Sequence, residues 1–348
     1  MRGFAVAVFV LVSSSAAYVQ SGMVKPAVRS DAIRRAQVWA PTDIPSMDLR
    51  AGPAGPEAFA PGQVVECDYV DKPLNGKSPK FTCAISPTDE VKVKFGRDNG
   101  EVFAEVAATR LLWALGFGAD AEYPVKIQCR GCPENFHGKP ARGKPPIFVD
   151  PATIERKMHG HAIEIKEDSG WDWAELDLID EGAGGAPRAQ RDALRLLAAV
   201  IQHTDSKPQQ QRLLCPKPAG DPPADGTCAA PLMILNDVGL TFGHANAFNA
   251  NMPGSVNFEE WSKTKVWADS KGCVAELKKS ITGTLDHPTI SEAGRKFLAD
   301  LLVQLTDQQL HDLFDVARFQ LRSGHSVDEW VEAFKHKRDE IATRTCPA

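Results

Sequence analysis

His203-Thr204-Asp205-Ser206-Lys207-Pro208-Gln209-Gln210 follows a long amphipathic run, Arg188–Ile201, and Asn236-Asp237-Val238-Gly239 follows a short apolar one, Pro231–Leu235. In the first run Leu194, Leu197, Ala198 and Ile201 recur at helical spacing, so it reads as a helix. The second is short enough to be a buried strand. Residues 200–243 therefore carry one aspartate just past a helix and another at the end of a strand. Lys207 and Gln210 lie within a few positions of the first. A carboxylate that orients a hydroxyl proton, a cation beside it and two oxygen donors for a hard divalent ion are the parts that phosphoryl transfer from a nucleotide requires.

Upstream, Val64–Tyr69, Phe81–Ile85 and Glu90–Phe95 alternate apolar and polar residues and read as three antiparallel strands. Asn75-Gly76 between the first two is a hairpin turn signal. Lys94 lies in the third strand and shares a face with Lys92, while Val93 and Phe95 point the other way. Asn99 is a good N-cap for a helix over Gly100–Leu115, whose apolar stripe is Val102, Phe103, Val106 and Trp113. Glu105 borders that stripe. Glu101, in the first turn, is accounted for by the helix dipole. Tyr123–Gln128 and Ile154–Met158 read as two more strands. His159-Gly160-His161 reads as a polar turn, since two histidines alone are too few for a metal site.

The two quoted pieces resemble the catalytic loop H-R-D-x-K-P-x-N and the D-F-G motif of the protein kinase-like superfamily, in its atypical, exported branch. His203, Asp205, Lys207 and Pro208 match in register, and motif order extends the resemblance over Val65–Gly243. It implies an α+β, two-lobed kinase-like fold: a small antiparallel β lobe with one helix, then a mainly helical lobe, with ATP as substrate between them. By position it makes Asp205 the base or hydroxyl orienter and sets Lys207 on the γ-phosphate. Asp237 becomes the principal ligand for Mg²⁺ or Mn²⁺, with Gln210 secondary. Lys94, held by Glu105, falls on the α- and β-phosphates. Gly76 and Lys80 (with Lys77) fall in a phosphate-covering loop. The departures are Gln210 for asparagine, Val238 for phenylalanine, a single glycine where that loop should hold three, a long Pro/Gly-rich insertion at Pro216–Ala230, and no A-P-E segment.

Three readings follow. The chain is an exported phosphotransferase acting on a hydroxyl of a protein or small molecule; or a weak or inactive pseudokinase serving as an extracytoplasmic binding or scaffolding module; or a disulfide-stapled domain with no nucleotide site, whose polar residues would not converge.

The rest of the chain sets the frame. Its 348 residues suffice for two lobes, and 43% hydrophobic with 24% charged residues is the balance of a soluble globular chain. A net charge of −5 and the lack of any basic run interleaved with aromatics argue against nucleic acid as a partner. Arg2, the apolar run Phe4–Val12 and the small residues Ser13–Ala17 read as a signal peptide over residues 1–17, giving a secreted or periplasmic protein with no membrane association after cleavage. An even cysteine count fits such export. Spacing leaves connectivity open; the expectation is nearest-neighbour pairing of Cys67–Cys83, Cys215–Cys228 and Cys273–Cys346, with Cys129-Arg130-Gly131-Cys132 a structural disulfide rather than a redox or zinc motif. Residues 18–62 read as a flexible Pro/Ala/Gly-rich tail, 63–168 as the β-rich lobe and 169–348 as the helical lobe. Trp171 and Trp173 open a short helix at the lobe junction. Beyond residue 243, helices are expected over Phe258–Val266, Cys273–Ile281, Ser291–Leu305, Asp307–Phe319 and Val327–Thr343, with capping boxes at Thr306/Gln309 and Ser326/Glu329.

Overall fold

The computed structural model describes residues 23–167, 169–216, 226–243 and 255–347. The expected signal segment, most of the Pro216–Ala230 insertion and the polar stretch after Gly243 lie outside them.

The first element is helix α1 (Pro26–Arg34), which opens on a proline at its first position, where no amide hydrogen bond is lost. The expected flexible tail is corrected here. Ala32, Ile33, Ala36, Val38, Ile44 and Leu49 are all buried in the main core. Gln37 bonds through its backbone to Pro231 and Met233, and Arg29 pairs with Glu175 at 2.6 Å. The prolines interrupt secondary structure but leave enough apolar side chains to dock the segment.

Five strands then close a barrel in the order β1-β2-β3-β5-β4: β1 (Val64–Val70), β2 (Lys80–Ser86), β3 (Asp89–Phe95), β4 (Ala121–Arg130) and β5 (Ile147–Arg156). Helix α2 (Glu101–Ala114) connects β3 to β4. The expectation of a purely antiparallel small lobe is corrected as well: β1 and β4 pair in parallel, with Val65 opposite Ile127 and Cys67 opposite Cys129. Strand alternation sends Val65, Cys67, Phe81, Cys83, Val91, Val93, Val125, Ile127 and Cys129 into the barrel. It turns Thr82, Lys92, Lys94, Glu122, Thr153 and Glu155 the other way. Those six are polar, yet Thr82, Lys94, Glu122, Thr153 and Glu155 are buried, because α2 and the rest of the chain cover that face.

A second, three-stranded sheet holds β6 (Gly160–Ala162), β7 (Gln211–Pro216) and β8 (Leu232–Leu235) in sequence order. His161 therefore sits in a short strand opposite Cys215, where a turn was expected. Helix α3 (Arg188–Val200) precedes this sheet's second strand. Helices α4 (Phe258–Lys263), α5 (Glu292–Leu302), α6 (Asp307–Val316), α7 (Phe319–Ser323) and α8 (Val327–Thr343) complete the chain. Both capping boxes are formed, at Thr306/Gln309 and Ser326/Glu329. The helix expected over Cys273–Ile281 is absent. Val274 and Ala275 make isolated bridges to Thr289 and Trp267, and the backbone from there to Leu285 is irregular.

The layout is also less clearly bilobal than expected. The barrel has its own core, but α2 buries Val102, Phe103, Val106, Leu111 and Leu112 in one continuous core with α3, α5, α6 and α8. Trp171, Trp173, Trp261 and Trp330 are fully enclosed there. The four disulfides are Cys67–Cys83, Cys129–Cys132, Cys215–Cys228 and Cys273–Cys346, and no described cysteine is free. That is the pattern of a chain that folds in an oxidising compartment. Among the described residues no helix is long and apolar enough to cross a membrane.

Candidate active site

The site begins with alternation along β3. Val91 and Val93 fill the barrel, so Lys92 and Lys94 must point to the face that α2 covers. Glu101 and Glu105 stand one helical turn apart on α2 and therefore share a face. Lys94 Nζ lies 2.5 Å from Glu105 Oε1, 2.7 Å from Glu101 Oε2 and 3.9 Å from Asp237 Oδ1. Lys94 and Glu105 are each only 1% exposed. Lys92 is taken by Glu155.

Three carboxylates thus surround one ammonium. Burial pulls the Lys94 ammonium down, but Asp237, Glu101 and Glu105 outweigh it and hold its pKa well above the ordinary lysine value. Burial likewise pushes Asp237 up, yet Lys94 and Lys92 keep its carboxyl well below the usual range, so it is ionised. Glu105 goes the other way. Burial raises it, Glu122 and Asp237 add to the rise, and Lys94 does not fully offset them.

One carboxylate oxygen from each of Glu101, Glu105 and Asp237 lies within 4.8 Å of the other two, and Glu105 Oε2 is buried with no hydrogen-bond partner. An orphaned oxygen in an all-oxygen, net negative nest suits a hard divalent cation. Mg²⁺ and Mn²⁺ therefore fit the residues present. The dipole explanation of Glu101 was incomplete: its side chain is in direct contact with Lys94. The i, i+4 spacing to Glu105 was the signal in the sequence.

Asp237 is positioned by the end of β8 and by Gly239. Gly239 N–H donates to Asp237 Oδ1 at 3.3 Å. A Cβ on Gly239 would stand 2.6 Å from Glu101 Cγ, so only glycine lets this loop press against the first turn of α2. Three residues on, Phe242 plugs the loop into the helical core against Trp261 and Phe319.

The other half of the site lies between α3 and β7. Asp205 Oδ2 accepts hydrogen bonds from Lys207 Nζ and Gln210 Nε2, both at 2.8 Å. Its Oδ1 accepts from Thr282 Oγ1 at 3.3 Å and Ser280 Oγ at 3.5 Å. Gln210 also joins the halves, because its carbonyl accepts from the backbone N–H groups of Asn236 at 2.9 Å and Asp237 at 3.3 Å. His203 is buried beneath the loop near Trp173, and burial lowers its pKa to about 4, so it is neutral at physiological pH.

Of the residues singled out in the sequence, Lys94, Glu105, Asp237, Gln210, Asp205 and Lys207 are thus linked contact by contact. Lys80 stands at the rim, opposite Lys94 in the β2–β3 pairing. Burial and then Lys94 lower its pKa, while Glu101 and Asp237 act against them. Gly76, at φ +92°, makes room for the Lys80 ammonium, which a Cβ there would meet at 2.7 Å. It lines a cavity of about 780 Å³ with Lys77, Lys80, Phe81 and Phe136, to which neither Lys94 nor Asp237 contributes. Glu122, Glu155, Ser280 and Thr282 gave no signal in the sequence, because sheet closure and an irregular loop bring them in.

No family model matches the chain, and no curated protein does. Among solved structures, the Helicobacter pylori proinflammatory kinase CtkA aligns at a TM-score of 0.43 with 11% identity, over 82% of this chain and 95% of that one. A likeness that loose decides neither fold nor function.

Proposed function

We propose that the protein is an extracytoplasmic phosphotransferase that moves the γ-phosphoryl group of ATP to a hydroxyl acceptor. The observation that carries the reading is the unbroken line of contacts from Glu105 through Lys94 and Asp237 to Gln210, Asp205 and Lys207. It links the Lys94 ammonium, the Glu105 and Asp237 carboxyl groups and the Asp205 carboxylate, which would serve as phosphate-holding cation, metal ligands and proton acceptor.

Lys94, fixed by Glu101 and Glu105, would bind the α- and β-phosphates, the part a buried ammonium plays in such sites. Asp237, with Gln210 and the Glu101/Glu105 oxygens nearby, would hold Mg²⁺ or Mn²⁺. When bound, that ion supplies positive charge against the phosphates. Asp205 would accept the acceptor's hydroxyl hydrogen bond and orient it, and Lys207 would turn from Asp205 to the γ-phosphate.

A second reading, a pseudokinase used as a binding module, draws on the same loop. Lys207 and Gln210 both face Asp205, and the other oxygen of Asp205 is met by Thr282 and Ser280. Every acceptor position of the base is engaged. ADP formation from ATP with Mg²⁺ or Mn²⁺ separates the two. The enzyme reading expects turnover in the wild type and a fall of about 10² or more in Asp205→Ala, with ATP affinity retained. ATP binding without turnover in either protein leaves the binding module.

A further inference from the structure

The segment Ser280-Ile281-Thr282-Gly283-Thr284 is laid across the loop that carries Asp205, and it is clamped on both sides of that residue. Ser280 N–H donates to the Thr204 carbonyl at 2.9 Å. On the other flank, Thr284 donates to the Ser206 carbonyl through its N–H at 3.3 Å and its hydroxyl at 3.1 Å, and Leu285 N–H donates to Ser206 Oγ at 3.0 Å. Gly283 permits the approach: a Cβ there would stand 2.7 Å from the Thr204 carbonyl oxygen. Between the clamps, Thr282 presents its hydroxyl to Asp205 Oδ1, the oxygen turned away from Lys207. A hydroxyl donating to the base on one oxygen, with a cation on the other, is the arrangement an acceptor adopts before transfer.

We infer that Thr282 is this chain's own acceptor: a self-modification site phosphorylated in cis from ATP. The inference rests on the phosphotransferase reading above. In the step, Thr282 Oγ1 forms a bond to the γ-phosphorus as the bond from that phosphorus to the β,γ-bridging oxygen breaks. ADP leaves with that electron pair, and the hydroxyl proton passes to Asp205 Oδ1 and on to solvent.

The segment is also built to leave afterwards. Leu277 and Leu285 anchor its two ends in the core, but Ile281 at its tip is 79% exposed, so lifting the tip uncovers little apolar surface. A phosphate of nearly two negative charges beside Asp205 is repelled. One modification therefore withdraws Thr282 from Asp205 Oδ1 and opens its position there to an external hydroxyl, with Ser280 the other partner of that oxygen.

The test incubates the full chain with Mg²⁺ and ATP, then reads intact mass and maps the modified peptide. Expected is a single phosphoryl group on Thr282, at an initial rate per molecule that does not change with protein concentration. Thr282→Val loses it, and Thr282→Ser moves the label from phosphothreonine to phosphoserine. The serine variant preserves the hydroxyl and guards against a folding defect in the valine one. ATP-dependent stabilisation and ADP formation are measured on the same samples. If both occur while Thr282 stays unmodified, or if its labelling rate rises with protein concentration, the cis inference is overturned and the phosphotransferase reading stands. If ATP neither stabilises the protein nor is consumed, both fall together.

Discussion

Lys94 pairs with all three carboxylates of the nest. Removing a single partner from a buried ion-paired group leaves the others uncompensated, and that costs about 3–5 kcal/mol. Lys94→Met should therefore lower stability by that order in urea unfolding, and should remove ATP-dependent stabilisation as well. Lys94→Met together with Glu105→Leu should recover part of the stability but none of the nucleotide response. Gln210 makes a subtler case. Its amide reaches Asp205 through one methylene more than asparagine has, and its carbonyl holds the Asp237 backbone. Gln210→Asn should leave that backbone bond intact, leave Lys207 as the partner of Asp205 Oδ2 and raise the rate of ADP formation if the long amide limits metal binding. Asp205, Lys207 and Asp237 were legible in the sequence because local spacing alone puts them past a helix and a strand. Lys94 with Glu105 was legible because strand alternation and helix periodicity leave each side chain one direction. Glu101 was misjudged, since the first-turn dipole already accounted for an acidic residue there.

Strand β4 and its partner β5 set the charge state of the wall behind Lys94. Glu122 donates nothing while ionised and accepts from Thr153 Oγ1 at 2.8 Å, but burial, and then Glu155, raise its pKa to about 7. A carboxyl raised in the folded state favours folding where it is protonated. Its contribution is full below the unfolded value near 4.5 and is lost as pH rises through about 7. The loss is on the order of 3 kcal/mol at most. Unfolding free energies at pH 4.5 and pH 7.5 should show that decline in the wild type and a flatter profile in Glu122→Gln. Elements such as α3, β8 and α8 were legible to within a residue or two. The irregular backbone after Ala275 was not. Its apolar residues Val274, Leu277 and Ile281 fit a helical pattern, yet the hydroxyls of Ser280, Thr282 and Thr284 bond to the Asp205 loop instead. Tertiary hydrogen bonds at long sequence separation overrode local preference, and no local pattern carries them.

At the scale of the whole molecule, α2 packs its buried residues into the helical core and sets Glu101 and Glu105 against Lys94 of the barrel. Barrel closure depends on β1 pairing in parallel with β4 across a long separation, and that is why the sequence suggested a purely antiparallel lobe. The docked segment 23–62 was missed for a similar reason: its buried residues are scattered among prolines and read as a tail until the core they fill is in place. The Cys273–Cys346 bridge ties the C-terminus back across a separation of 73 residues. On loop-closure entropy it contributes about 4 kcal/mol. The paired Cys273→Ser, Cys346→Ser variant should lose stability by that order, and the denatured, unreduced wild type should titrate no free thiols. The central claim is that this assembly forms a metal-dependent nucleotide site on Lys94 and Asp237, and its most direct test is the melting temperature measured with ATP, with and without Mg²⁺. The account predicts a rise in the wild type only when both are present, about 2.7 kcal/mol of stabilisation at a hundredfold excess over Kd, and no rise in Asp237→Asn, whose apo fold is kept. A wild type that ATP does not stabilise at any Mg²⁺ concentration, or an Asp237→Asn variant stabilised as strongly as the wild type, would contradict it.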